Sequence, residues 1–158
     1  MNSYKHTQIG YLMLVVTLIV LALFVWTYIT ASGETPSINS GPNFAISAIM
    51  GLIIFILVSF TTLTTSIDQN YLRIRFGYGI FSKKFVLNQI ASAKAVKNHW
   101  YYGWGIRLCL KPYMWIFNIS GFDAVEITMK NGKIYRMGTD APRELETAIQ
   151  KVTNSSSI

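Results

Sequence analysis

Val125-Glu126-Ile127-Thr128-Met129-Lys130-Asn131-Gly132-Lys133-Ile134-Tyr135-Arg136-Met137-Gly138-Thr139 is the stretch that decides the fold. On both sides of Asn131-Gly132, apolar and polar residues alternate with period two, the pattern of a strand with one buried face. Two registers compete. A two-residue Asn131-Gly132 turn would put Arg136 on the face of Ile127 and bury a charge. A three-residue loop, Lys130-Asn131-Gly132 with Gly132 left-handed, moves the pairing by one. Tyr135 and Met137 then join Val125 and Ile127 inside, and Glu126 faces Arg136 outside. The second register is preferred because it buries no charge.

Downstream, Asp140 is placed to cap a helix and Pro142 suits its first turn. Leu145, Ala148, Ile149 and Val152 recur at helical spacing and make one apolar face. Residues 153–158 read as a polar, disordered tail. Upstream, Leu72-Arg73-Ile74-Arg75-Phe76 and Ile106-Arg107-Leu108-Cys109-Leu110-Lys111 repeat the alternation. Gly77, Gly79, Gly103, Gly105, Pro112 and Gly121 separate the runs. The spacing predicts seven strands near 67–76, 79–87, 90–98, 104–111, 113–118, 123–130 and 133–138, forming a domain over 67–152.

The remainder of the chain is of another kind. The protein has 158 residues, a net charge of +7, 51% hydrophobic and 13% charged residues. A soluble domain carries about 25% charged residues, and here Glu34 is the only charge between Lys5 and Asp68. That excludes an ordinary soluble protein, a disordered chain and a coiled coil. Residues 1–66 read as two membrane-spanning helices, about 9–31 and 44–64, joined by a Gly/Pro-rich loop at 32–43. A span needs about 20 apolar residues, and lipid favours helices because every backbone group must be paired internally. The first run is longer than the apolar core of a cleaved signal peptide, so retention is expected. Ser47 and Gly51 form a small-xxx-small pair suited to close helix packing. The loop lacks Lys and Arg, whereas Lys5 precedes the first span and Arg73, Arg75, Lys83 and Lys84 follow the second. The positive-inside bias places both termini and the C-terminal domain in the cytoplasm of a multi-pass protein of the cell (inner) membrane.

Strands capped by one C-terminal amphipathic helix, behind a hydrophobic anchor, resemble the bacterial membrane-anchored proteins with a pleckstrin-homology-like (PH-like) domain. The residues that carry the resemblance are Ile67 to Phe81, Val125 to Thr139 and the Asp140-Ala141-Pro142-Arg143-Glu144-Leu145 helix start. It covers about residues 65–152. It implies a membrane α-helical hairpin plus a mainly-β PH-like domain, with seven antiparallel strands in a sandwich or partly open barrel. The family is largely uncharacterised, and the resemblance implies little chemistry.

No catalytic constellation stands out, and the expected protein is not an enzyme, with no catalytic residue, metal or cofactor. His6 and His99 are far apart in sequence. Cys109, the single cysteine, alternates with Leu108 and Leu110 and is expected to point outward, without the neighbouring base that thiol catalysis needs. Gly77-Tyr78-Gly79 opens no helix and is no phosphate loop. The glycosylation patterns at Asn118 and Asn154 fall on the cytoplasmic side of the expected topology. No nucleic-acid motif is present, and no small-molecule substrate is identified.

Two features can bind. Arg73, Arg75, Lys83 and Lys84 form a basic hairpin near the membrane exit, suited to an anionic lipid surface. Trp100, Tyr101, Tyr102 and Trp104, with Tyr113, Trp115 and Phe117, are too aromatic for a plain loop and strand. The strand at 113–118 is apolar on both faces and needs a second cover: the bilayer, a partner, or a copy of itself. The leading reading is a membrane-tethered protein-interaction, scaffolding or self-assembly module. The alternatives are an anionic-lipid binding module and an accessory subunit of a membrane transporter or enzyme.

Overall fold

A computed structural model describes residues 4–32 and 41–155. The connector loop expected at 32–43 lies mostly outside these residues, as do positions 156–158. The element order is β1 (Tyr4–Ile9), α1 (Tyr11–Ser32), α2 (Gly41–Ser59), β2 (Thr62–Ile67), β3 (Tyr71–Phe76), β4 (Ser82–Val86), β5 (Ile90–Lys97), β6 (Gly105–Leu110), β7 (Tyr113–Asn118), β8 (Asp123–Met129), β9 (Ile134–Gly138) and α3 (Pro142–Ser155). A four-stranded sheet runs β1-β2-β3-β4, and a five-stranded sheet runs β5-β8-β9-β7-β6.

This corrects the sequence reading in several places. The described residues hold nine strands, where seven were expected. The two additions, β1 and β2, flank the helices. The domain is therefore not 67–152 but two pieces, Tyr4–Ile9 and 62–155, with the helical pair inserted between neighbouring strands. Ile9 pairs with Thr62 and Tyr4 with Ile67. Nor is the sheet wholly antiparallel, because β7 and β9 run parallel. The chain leaves β7, crosses to β8, and returns as β9 into the space beside β7.

The hairpin register holds as expected. Tyr135 faces Ile127, Met137 faces Val125 and Arg136 faces Glu126. Gly132 is left-handed at φ +81°, and the Arg136 Nε–Glu126 Oε2 pair measures 2.7 Å. Helix α3 starts at Pro142, and the Leu145 amide donates to the Ala141 carbonyl. Ala141, not Asp140, therefore stands at the capping position, and the Asp140 carboxylate instead meets His6 of β1. The helix continues through Ser155, further than the disordered tail expected from 153, with the Thr153 hydroxyl bonded to the Ile149 carbonyl.

The core lies between the two sheets and under α3. Leu63, Leu72, Ile74 and Phe76 come from the first sheet, Val125, Ile127 and Met137 from the second, and Leu145 and Ile149 from the helix. Side chains of this size contribute about 1.5–3 kcal/mol each when fully buried.

The helices behave differently. Tyr11–Thr30 has a mean hydropathy of 2.7 and almost no buried surface, and it is long and apolar enough to cross a membrane. Phe44–Ser59 is apolar but shorter. Helix α1 begins later than the expected run because Ile9 belongs to β1, and α2 ends sooner because Thr62 onward belongs to β2. In α1, Met13, Thr17, Val20 and Phe24 are the shielded positions; in α2, they are Ser47, Met50, Ile54 and Leu57, joined by Val58 and Ser59 where the helix meets the sheets. Spacings of three and four place each set of four on one stripe, and the two helices touch. Gly51 has nothing within 4 Å of a built Cβ. The expected Ser47/Gly51 seam is therefore not what packs α1 against α2.

Candidate functional site

The neck between helices and sheets is tightly built. The Gly10 amide donates to the Thr61 carbonyl at 2.7 Å, and the Gly77 amide to the Thr62 carbonyl at 2.9 Å. Gly77 has φ +44°, and a Cβ there would lie 2.5 Å from the Ser59 carbonyl oxygen. Only glycine lets the β3–β4 turn press against the end of α2.

Strand register then sorts the basic residues. Lys5 faces Ser66, Ser66 faces Arg73, and Arg73 faces Lys84. Directly paired residues share a face, and strands lie about 4.8 Å apart. Lys5, Arg73 and Lys84 thus stand in one row on the outer face of the first sheet. Arg75 follows in the next row, with Thr7, Thr64 and Ser82. Lys83 is the exception. It faces Ile74, a fully buried core residue, so it is rooted on the opposite side. The structure brings together three of the four expected basic residues and adds Lys5, which the sequence reading placed ahead of a membrane span.

The row has local partners. Arg73 Nη2 lies 3.8 Å from Asp68 Oδ2, and its guanidinium sits 5.8 Å from the Tyr71 ring centre. Such an exposed ion pair contributes about 0–1 kcal/mol. The Arg75 stem lies over Gly79, where Cδ would be 2.7 Å from a built Cβ. Its side chain therefore leans along the β3–β4 turn, toward the helices.

The aromatic candidates do not form one surface. Tyr102 is buried at 8% exposure, against Met114 and Ile116. The second cover that β7 needs comes from the chain itself, the turn at Trp100–Tyr102. Burial pushes the Tyr102 hydroxyl's pKa up, and the Arg136 guanidinium lies 5.5 Å from its ring centre. Phe117 belongs to the main core on the other face of β7. Trp100 and Tyr101 are exposed on the covering turn, whereas Tyr113 and Trp115 project from the core-side face of β7 beyond the reach of the first sheet. Trp104 stands apart, lining a shallow cleft with Met13, Phe60, Phe81 and Leu108 at the foot of the helices. Cys109 does not point outward as expected: it is half-buried against Tyr102, and Leu110 is exposed instead.

A second corner lies where β1 meets α3. Tyr4 packs against the core, and its hydroxyl pKa is pushed up to about 12, first by burial and then by Glu144 and Asp140. Among the described residues, no group of three or more His, Cys, Asp or Glu side chains could hold a metal.

Compared with known protein families, curated proteins and solved structures, the chain matches none of them.

Proposed function

We propose that this chain is a non-enzymatic membrane protein whose two helices form a hairpin through the bilayer. The hairpin tethers a cytoplasmic PH-like domain that engages anionic lipid headgroups through Lys5, Arg73, Arg75 and Lys84. A four-stranded meander, a second sheet and a C-terminal helix support the PH-like reading. The two additional strands and the parallel β7–β9 pair depart from a seven-strand pattern.

The observation that carries the proposal is the insertion of the helices between β1 and β2. Ile9 and Thr62 are paired neighbours. A chain that crosses the bilayer in α1 must therefore come back in α2. The apolar part of α2, Phe44–Ser59, is about 24 Å long at 1.5 Å per residue, shorter than the roughly 30 Å hydrocarbon thickness, a mismatch that local bilayer thinning accommodates at modest cost. The same geometry argues against removal of the first helix as a signal sequence, since that would take β1 from its sheet. Lys5 shares the outer-face row of Ser66, Arg73 and Lys84, and on this reading the row lies on one side of the bilayer.

Topology is tested with single cysteines in a Cys109→Ser full chain. Ser37→Cys should react with an impermeant maleimide from outside, and Lys130→Cys only after permeabilisation. Equal reactivity from one side would end the hairpin reading. Lipid engagement is tested with a fluorophore on Thr7→Cys in nanodiscs. Quenching by headgroup-labelled lipid should be stronger with phosphatidylglycerol than with phosphatidylcholine and should weaken with salt. It should disappear when Lys5, Arg73, Arg75 and Lys84 are all changed to Gln. Quenching that ignores lipid charge, salt and those changes would remove the lipid reading.

A protein partner is the second reading. Leu108, Leu110, Tyr113 and Trp115 are exposed on paired positions of β6 and β7, and β6 is an open edge of its sheet. An apolar open edge suits strand addition by another chain.

A further inference from the structure

The β3–β4 turn presents three apolar side chains to the surface. Tyr78 is 65% exposed, Ile80 57% and Phe81 39%. Contiguous apolar surface of this kind marks an interaction site, and its position says which one. The Tyr78 ring stacks on Phe55 of α2, with centroids 5.9 Å apart. Phe55 is four residues before the end of α2, about 6 Å along the helix axis. The turn therefore reaches down the outside of the helix instead of staying level with its end.

Phe81 continues the contact. Its ring lies 5.2 Å from Phe60, which in turn lies 5.3 Å from the core residue Phe76. Across the foot of the helices, Trp104 is 38% exposed and shares the cleft with Met13, in the first turn of α1. Tyr78 thus touches the last turns of α2, Phe81 and Trp104 line the cleft at the first turn of α1, and Ile80 is exposed between Tyr78 and Phe81 on the turn. Trp and Tyr concentrate at the membrane–water interface, where an apolar ring body with a polar tip is accommodated.

We propose that these four residues form a collar that inserts into the interfacial layer of the bilayer around the hairpin. The collar is distinct from the charged face: it holds the domain at fixed depth and tilt, with the Arg75 side chain at headgroup level above the turn. The inference rests on the reading of α1 and α2 as membrane helices, and its test separates the two.

The test uses full chains with one tryptophan each, in vesicles of mixed phosphatidylcholine and phosphatidylglycerol carrying bromines near the headgroup end of the acyl chains. One chain keeps only Trp104, with Trp26, Trp100 and Trp115 changed to Phe. A second keeps only Trp26, within α1. A third carries Tyr78→Trp with all four native tryptophans changed to Phe. A fourth carries Lys130→Trp in the same background, at the far end of the domain. Trp104 and the Tyr78→Trp reporter should be blue-shifted and quenched, Trp26 should be quenched, and the Lys130→Trp reporter should be unquenched. Quenching of Trp26 with solvent-like emission from both collar reporters would overturn the collar and leave the anchor. Failure of Trp26 to be quenched would overturn the anchor and the collar with it. Equal quenching of the Lys130→Trp reporter would also overturn the collar, since the whole domain would then lie in lipid.

Discussion

The Gly10 amide donates to the Thr61 carbonyl at 2.7 Å, although both helices lie between them in the chain. This bond extends the β1–β2 pairing to the base of the hairpin and leaves the two ends one strand spacing apart. Replacing residues 11–60 by an Asn-Gly turn should therefore close β1 onto β2 as an ordinary two-residue hairpin. The product is expected to give a dispersed amide NMR spectrum and cooperative unfolding. Beginning the chain at residue 66 should do neither, because it removes β1 and the core residue Leu63. A cooperative fold from that shorter fragment would contradict the split domain.

The sorting of the basic residues predicts unequal effects within one hairpin. Changing Lys5, Arg73 and Lys84 to Gln removes about 1 kcal/mol each near an anionic surface, or roughly 100-fold together. The turn-linked domain, once its spectrum shows it folded, can report this in vesicle sedimentation at low salt. Lys83→Gln should cost less than any of the three, since Lys83 is rooted on the other side of β4. An equal loss from Lys83→Gln would mean that net charge, not the face, is being read.

Tyr102 and Trp100 are near neighbours with opposite roles. Tyr102→Ala strips the cover from Met114 and Ile116 and should cost about 3 kcal/mol, in the range of buried aromatic truncations. Trp100 is 80% exposed, so Trp100→Ala should stay within about 0.5 kcal/mol. Denaturant midpoints of the two variants decide the matter, and similar losses would show that the turn packs as a unit.

Alkali should loosen the corner between β1 and α3. The Tyr4 hydroxyl's pKa is raised from 10.0 to about 12 in the folded protein by burial, Glu144 and Asp140. The folded state then holds its proton more tightly than the unfolded state. The associated stability is complete below pH 10 and is lost as pH rises through 12. Tyr4→Phe should lose this component of the alkaline stability decline. Phenolate absorbance should show one tyrosine fewer titrating near the top of that window.

Gly77→Ala tests the neck directly. The substitution places a side chain at φ +44° and against the Ser59 backbone, a conformation costing about 1–3 kcal/mol before any clash. A lowered midpoint in thermal unfolding is expected, and an unchanged midpoint would mean that the neck is loose.

The legible parts of the sequence were those where two signals agreed. In the β8–β9 hairpin, burial of Tyr135 and Met137 and the left-handed Gly132 demanded one register, and that register is present. In Tyr4-Lys5-His6-Thr7-Gln8-Ile9 no such agreement exists. The side chains facing inward include His6 and Gln8, so the segment shows no apolar alternation, and its pairing partner is remote in sequence. Thr62-Leu63-Thr64-Thr65-Ser66 was hidden for the opposite reason: it is uncharged and continues an apolar run without a break. Lys5 was missed as a member of the basic face because β1 was missed. The sequence shows that β7 needs a second cover, but spacing alone does not reveal that Tyr102 folds back to supply it.

The insertion of the helices into the first sheet also sets an order of events during synthesis. β1 leaves the ribosome first and can only wait, because its partner β2 does not exist until the second helix has been made. If α1 and α2 cross the bilayer as proposed, closing that pairing requires the chain to have gone into the bilayer and returned to the side it left. A chain whose second helix fails to return would strand β2, and everything after it, across the membrane from β1. On that reading, completion of the sheet doubles as a check on membrane insertion, written into the order of the strands.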